Sequence, residues 1–424
     1  MKPICISGGS FIGNHGAEAM LVTCIKRIRE RFPDTPIAVL SPYFSEDKAV
    51  LKSDDVILLN SSPVQLAFII FPFSLVAALL KLLKLSKLIC ILPKSVRMIS
   101  RSSAQIDLAG VSFMDSRQIF LPFNILSILP AILLDVPVIK FAQALGPFKR
   151  IPNRLSARFF LKRCKKIFAR GNETLNNLKE FGLESEKFSF APDVAFCHKI
   201  GDSITSENSD YCESMIIKLQ NETNNNITTI GICPSSLLAS KSQLSGNYTN
   251  FVSEITSCFL KMNYRVILFP NATRQAKMHT LRNNDLRVIQ DVKLNLDAEN
   301  FPEENIIYVE KNMNADVIKN IIIQCDITIV SRFHAMIASL TTRTPVFVLS
   351  WSHKYLEVMK LFKMEEMVID YNKSNTKEVI EKVIKLIEQR EFWIEKIQET
   401  LPDVHKKSFS QFEYLFNLIE LQSS

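Results

Sequence analysis

The chain has 424 residues, of which 47% are hydrophobic and 22% charged, and its formal net charge is +8. That length exceeds what one core ordinarily serves, so two domains are expected, and the apolar content excludes a disordered chain. The positive excess is mild and diffuse; it suits an anionic small molecule or an acidic membrane surface, and without an aromatic-basic RNA motif it excludes nucleic acid.

The nine cysteines are scattered, never at C-x-x-C spacing, and mostly inside apolar runs such as the one ending at Cys233. They read as buried free thiols of a reducing compartment, with neither a disulfide framework nor a metal site expected. Pro3 to Ser7 followed by Gly8-Gly9 reads as a strand and turn rather than a signal peptide, so a cytoplasmic location is expected. A helix follows from about Ala17, with Leu21, Ile25, Ile28 and Phe32 on one face. Ile37–Leu40 and Val56–Leu59 are predicted strands.

Residues 64–80 form an apolar run interrupted by Pro72 and followed by Lys81, Lys84 and Lys87. Three readings apply: a buried helix, an amphipathic helix resting on a membrane with its lysines toward lipid phosphates, and a span. A span needs about 20 apolar residues and is the least favoured. Ile106–Ala109 and Val136–Ala142 are the next predicted strands. A basic helix runs from about Pro152 to Cys164. It reads as a solvated face, or as a surface that meets lipid-linked diphosphate sugars or the inner leaflet together with residues 64–92. Strands Lys166–Ala169 and Phe188–Phe190 complete a first domain, residues 1–198.

The polar stretch 199–226 reads as a linker region. Alternation then restarts: strands Ile227–Cys233, Tyr264–Phe269, Ile306–Val309, Ile327–Val330 and Val346–Leu349, with helices Thr249–Met262, Asn314–Gln324 and His334–Thr341 among them. This second domain is expected over 227–370, with C-terminal helices over 371–424. Strand–helix alternation twice over predicts an α/β chain with two Rossmann-like, doubly wound, mostly parallel sheets, whose ligands sit at the carboxyl ends of strands.

Three segments carry chemistry. The first βα turn, Gly8 to Glu18, has glycines at 9, 13 and 16 that let backbone approach a ligand. It is neither G-x-G-x-x-G nor a P-loop, so dinucleotide and Walker readings fail. Arg332-Phe333-His334 follows an apolar strand. A guanidinium is a permanent fork for phosphate or carboxylate, and an imidazole carries a proton near neutral pH. Both stand at a helix start, where cations gain no stability, which points to function. Lys354 lies just past the next strand end.

Taken together, Gly13-Asn14-His15-Gly16-Ala17-Glu18, Gly110 with Asp115, Gln143 with Gly146-Pro147, Arg170, Pro192-Asp193, Arg332-Phe333-His334, Pro345 and Lys354 resemble the polysaccharide pyruvyl transferase family in order and placement. The chain departs from the family pattern at Ala17, where an acid is common, and at Ala109, where a glycine is common. The resemblance implies a GT-B-like arrangement of two Rossmann-like domains across a cleft. It implies transfer of a pyruvyl group from phosphoenolpyruvate to a sugar diol of a cell-surface glycan, or of its lipid-linked precursor, as a ketal. No cofactor is implied; phosphoenolpyruvate and the glycan acceptor are the expected partners, with peripheral contact to the inner membrane face as a further expectation. The donor's phosphate and carboxylate would be held by Arg332, Lys354 and Arg170, with Gly13, Asn14, Gly16, Gln143 and Gly146 also contacting substrate. His334 would be the general acid, and Asp193 or Glu18 the base. The rival readings are a nucleotide-sugar-dependent glycosyltransferase on the same architecture and a non-catalytic, membrane-associated assembly component.

Overall fold

Short runs of β-branched and aliphatic residues, buried on both faces, become parallel strands flanked by helices. The structure, a computed structural model, describes residues 2–53, 56–205, 211, 214–217, 227–241, 247–274 and 283–422. Seven strands form the first sheet: β1 (Ile4–Ser7), β2 (Ile37–Ser41), β3 (Val56–Asn60), β4 (Ala104–Asp107), β5 (Val138–Gln143), β6 (Lys166–Ala169) and β7 (Phe188–Phe190). Their order is β3-β2-β1-β4-β5-β6-β7, all parallel, with Ile4 opposite both Ile37 and Ala104. Six strands form the second: β8 (Thr229–Cys233), β9 (Arg265–Leu268), β10 (Ile306–Tyr308), β11 (Ile327–Val330), β12 (Val346–Ser350) and β13 (Val368–Asp370). These run β10-β9-β8-β11-β12-β13, again parallel. The fold class is therefore the expected one. Strand β13 is an edge strand that the sequence reading did not anticipate.

In each sheet the chain first winds outward one way, then returns and winds the other, so the order reverses between β1 and β4 and between β8 and β11. Such reversals leave an open crevice at the carboxyl ends of the strands. Right-handed crossovers place the helices joining β3 to β4 on the same face of the first sheet as those joining β4 to β7. One core cluster unites them, including Ala38, Ile70, Val96, Ile128, Leu161 and Ile167. On the other face, Phe412 packs edge-on against Phe141 and Phe416 against Phe32.

Contacts divide the chain into two compact units. The first holds the residues up to Ile12, Met20–His198, and those from His405 onward; the second holds Gly13–Ala19 and Lys199–Val404. The sequence reading drew these boundaries differently, placing the Gly13–Glu18 turn wholly in the first domain and the last helices apart from both. Spatial partners decide membership. Gly13 and His15 exchange backbone hydrogen bonds with Thr273 and Asn271, and the end of helix Arg390–Leu421 packs on the first sheet. Within the predicted linker, residues 206–210, 212–213 and 218–226 lie outside the described residues.

The apolar run at 64–80 lies in a helix over Pro63–Leu82 with a π-turn at Leu66–Ile70. Only one stripe of it, Leu66, Ile70, Ser74 and Ala77, is buried, so the buried-helix reading holds for that stripe alone. Of the described cysteines none forms a disulfide; six are buried, Cys258 is half-buried and Cys90 is exposed.

A buried ion pair locks β4 to β5. Lys140 Nζ lies 2.5 Å from Asp107 Oδ2, both side chains being inaccessible to solvent. Removing one partner of such a pair strands a charge in low dielectric, at a cost of about 3–5 kcal/mol. Lys140→Met is accordingly expected to lower the unfolding free energy by about that amount in urea titration. A loss under about 1 kcal/mol would show that solvent reaches the pair.

Candidate functional site

At the carboxyl ends of the second sheet, Asp285 gathers donors from three strands. Its carboxylate sits in the first turn of helix Asp285–Leu296, fully buried. It accepts the backbone N–H of Ser236 after β8 at 2.8 Å, and those of Asn271 and Ala272 after β9 at 3.1 and 2.8 Å. From the turn after β11, Arg332 Nε reaches both carboxylate oxygens at 3.0 Å, and Nη2 bonds Oδ1 and, at 2.8 Å, Ser236 Oγ. Burial opposes the guanidinium's charge, but the Asp285 carboxylate outweighs it and holds Arg332 above its ordinary pKa. Nη1 makes no hydrogen bond among the described residues. Arg332 is thus a charge fixed in place by one edge.

Arg332 stands at the position just before the helix Phe333–Thr341, which puts His334 in that helix's first turn. The imidazole lies directly over Gly16: a Cβ built there would stand 2.0 Å from His334 Cγ and Nδ1. Glycine is required at 16 by this close approach, not by a positive φ. Asn14 caps the helix His15–Arg31, its side-chain oxygen accepting Gly16 N–H at 3.1 Å. Gly13 does need its left-handed φ of +79°, and its open side faces the Arg274 guanidinium, with Nη2 3.7 Å from where a Cβ would be. Lys354, in the first turn of helix His353–Leu361, places its ammonium over the rings of Trp351, Phe333 and Tyr355 at 4.8, 5.0 and 5.3 Å. The aromatic faces fix where this cation stands.

Beneath this surface, Glu18 is fully buried. Oε2 lies 3.0 Å from His15 Nδ1, and Oε1 accepts Thr205 Oγ1–H at 3.2 Å. His15 Nε2 is 3.1 Å from Thr273 Oγ1. Burial raises the Glu18 pKa well above the usual carboxylate range; the hydrogen bond from Thr205 opposes that rise and the nearby Asp316 adds to it. The carboxyl group thus favours its protonated form.

The second unit therefore brings together Gly13, Asn14, Gly16, Glu18, Arg332, His334 and Lys354. The first unit holds the other anticipated residues. Arg170, after β6, pairs with Asp193 (Nη1 to Oδ2, 3.0 Å), and this Nη1 lies 3.3 Å from where a Cβ on Gly110 would be. Asp193 is fully buried and also accepts Ala195 N–H at 3.0 Å. Gln143 is buried in the Lys140–Asp107 network, with Oε1 accepting Ser112 Oγ–H at 2.6 Å and Lys140 at 3.1 Å, and Nε2 donating to Asp107 O at 2.8 Å. Gly146 has φ +86° and backs onto Asn177. Gln143 and Gly146 thus shape the strand ends from below. Sequence reasoning missed Asp285 and Arg274. An Asp in the first turn of a helix is an available signal for the first, but nothing local ties it to an arginine 47 residues later.

The raised Glu18 pKa has a pH signature. Because the folded value exceeds the unfolded one, this group's stabilising contribution is complete below the unfolded carboxylate pKa and is lost as pH rises through the folded value. Glu18→Gln, which copies the protonated form, should flatten the decline of urea stability as pH rises above the ordinary carboxylate range. Parallel wild-type and variant profiles would contradict the assignment.

The comparisons with known proteins agree with this layout. Over nearly the whole chain the fold is similar to UDP-GlcNAc 2-epimerase from Neisseria meningitidis bound to UDP-GlcNAc, with a TM-score of 0.61 at 14% identity, covering 98% of this chain and 100% of that one. It is also similar to S. aureus MnaA in its UDP co-structure, with a TM-score of 0.58 at 10% identity, covering 99% and 98%. At such identities the likeness speaks to fold alone. The amylovoran biosynthesis protein AmsJ of Erwinia amylovora is 23% identical over 292 residues, 68% of this chain and 66% of that protein, so the match spans just under two thirds of the relative's length. The family described as polysaccharide pyruvyl transferase matches residues 14–353, which begin at the Asn14 cap and end beside Lys354. With four fifths of its length matched, and with the Asn14–Glu18 turn and the Arg332–His334 turn set against each other in one unit, the chain belongs to the polysaccharide pyruvyl transferase family.

Proposed function

We propose that this protein moves a pyruvyl group from phosphoenolpyruvate to two hydroxyls of one sugar, in a cell-surface glycan or its lipid-linked precursor, closing a cyclic ketal and releasing phosphate. Membership of the family supports the donor and the reaction class. The observation that carries the residue assignment is His334, set over Gly16 in the first turn of a helix and next to an arginine fixed by Asp285.

The donor bears a phosphate and a carboxylate. The positive end of a helix dipole favours such anions, and Arg332 through Nη1, Lys354 and Arg274 add positive charge. His334 gives a proton to the methylene carbon, which becomes the methyl group and leaves C2 electrophilic. The first acceptor hydroxyl forms a C–O bond at C2 and its proton restores the imidazole. The second hydroxyl displaces phosphate, which departs with the second proton. Atoms and charges balance without a redox partner. Glu18, buried and 3.0 Å from His15 Nδ1, acts through His15 and Thr273 to hold the turn under Gly16. Arg170, pinned by Asp193, is assigned with the rest of the first unit to the acceptor.

Purified protein incubated with phosphoenolpyruvate and a panel of glycan acceptors should release phosphate and add the mass of pyruvic acid less one water to one acceptor. Release of nucleotide from a sugar nucleotide, with none of phosphate from phosphoenolpyruvate, would replace this reading by glycosyl transfer. His334→Ala should lower kcat by about 10²–10⁴ while donor affinity is largely kept; unchanged turnover removes His334 from the mechanism. Gly16→Ala removes a poor helix former, so it should not weaken the helix itself. The added methyl would meet His334 Cβ as well as its ring, so the start of that helix must shift: kcat should fall by about a hundredfold and the melting temperature should drop with it.

A further inference from the structure

The helices on one face of the first sheet turn an apolar surface outward. In helix Pro63–Leu82 the mean hydropathy reaches 2.2, yet only 22% of that window is buried. Opposite its buried stripe, Val64, Phe68, Leu75, Leu79 and Leu82 recur at helical spacing, with Phe68 72% and Leu82 79% exposed. Ile91 in the following turn is 77% exposed. Helix Leu121–Leu126 packs against both the Leu66–Ile70 turn and helix Ile151–Phe160, so the surface continues past exposed Ile119. On that last helix Ile151, Leu155 and Phe159 form another exposed apolar row at i, i+4, i+8. Monomers rarely leave so extended an apolar surface uncovered.

The charge on this surface is mainly positive: between Val56 and Asn172 the acids are Asp107, buried against Lys140, Asp115, whose carboxylate accepts the N–H groups of Lys149 and Arg150, and exposed Asp135. From Val56 to Ile106 there is no acidic residue, while Lys81, Lys84, Lys87, Lys94, Arg97 and Arg101 are present. From Val136 to Asn172 there is again none, and Lys149, Arg150, Arg154, Arg158, Lys162 and Arg163 are all exposed. An apolar stripe rimmed mainly by cations complements an anionic lipid surface, whereas a second copy of the same face would bring an excess of like charge together. A span is disfavoured by connectivity. Both ends of this crossover lead into strands β3 and β4 of one sheet, and Lys81 Nζ donates to Leu134 O, holding the helix to its unit.

We propose that this face docks the protein onto an anionic phospholipid bilayer, the apolar rows entering the boundary between headgroups and acyl chains and the lysines and arginines meeting lipid phosphates. The inference is independent of the transfer chemistry.

Flotation with vesicles tests it. At physiological salt the wild type should float with phosphatidylcholine vesicles containing phosphatidylglycerol, and about tenfold less with phosphatidylcholine alone. Phe68→Glu with Leu79→Glu, both at exposed positions, should reduce flotation about tenfold with an unchanged melting temperature. Arg154→Glu with Arg158→Glu should abolish the preference for anionic lipid. The proposal is overturned if the wild type stays in the aqueous fraction, or if the Phe68/Leu79 double variant floats as well as the wild type. A dimer that the same variant dissociates, without vesicle binding, would assign the face to a second copy. Resistance of membrane-bound protein to alkaline carbonate would convert docking into spanning. Either result defeats the inference.

Discussion

The second unit's functional surface depends on one buried carboxylate. Asp285 accepts three backbone N–H groups and one edge of a guanidinium, and these come from the ends of β8, β9 and β11. Charge-assisted hydrogen bonds of this kind contribute about 1.5–3 kcal/mol each, and a dry site strengthens them. They draw together three loops that would otherwise splay. The same carboxylate decides what Arg332 can do. With Nε and Nη2 engaged, the guanidinium cannot swing, and its remaining amino group keeps a set direction.

Around that anchor, close approach replaces flexibility. The turn at Gly13–Gly16 has room for His334 only because residue 16 lacks a side chain. Asn14 holds the start of its helix in place from inside the turn, and the buried His15–Glu18 pair ties the turn to Thr273 and Thr205. A buried carboxyl that favours its proton costs less here than a charged one would. The imidazole above therefore rests on a rigid floor, the condition under which a proton donor holds its geometry.

The first unit uses the same physics for a different surface. Asp107 with Lys140, and Asp193 with Arg170, are oppositely charged pairs closed within the protein. Gln143 satisfies the remaining donors and acceptors beside the first pair, so the strand ends are fixed from within. The outer helices between β3 and β6 obey a different rule: their inner stripes fill the core, while their outer stripes stay apolar and basic residues outnumber acidic ones. Folding of the domain alone does not require an apolar outer stripe.

Periodicity by itself determined the two parallel sheets. Strand runs such as Ile327–Val330, with buried residues on both faces, leave a continuous apolar signature that needs no partner to be read. The ordered motifs likewise placed Asn14, Arg332, His334 and Lys354 at strand ends, because a βα turn is local. Tertiary structure alone decided how those turns meet. That Gly16 lies under His334, that Arg332 is held by Asp285, and that Gly13–Ala19 belongs with the second unit all depend on contacts between residues far apart in the chain, and such contacts leave no spacing rule. Composition made the 64–80 run apolar enough for a core, a surface or a span. Only the packing of Leu66, Ile70, Ser74 and Ala77 showed which stripe faces inward and which is left for a partner.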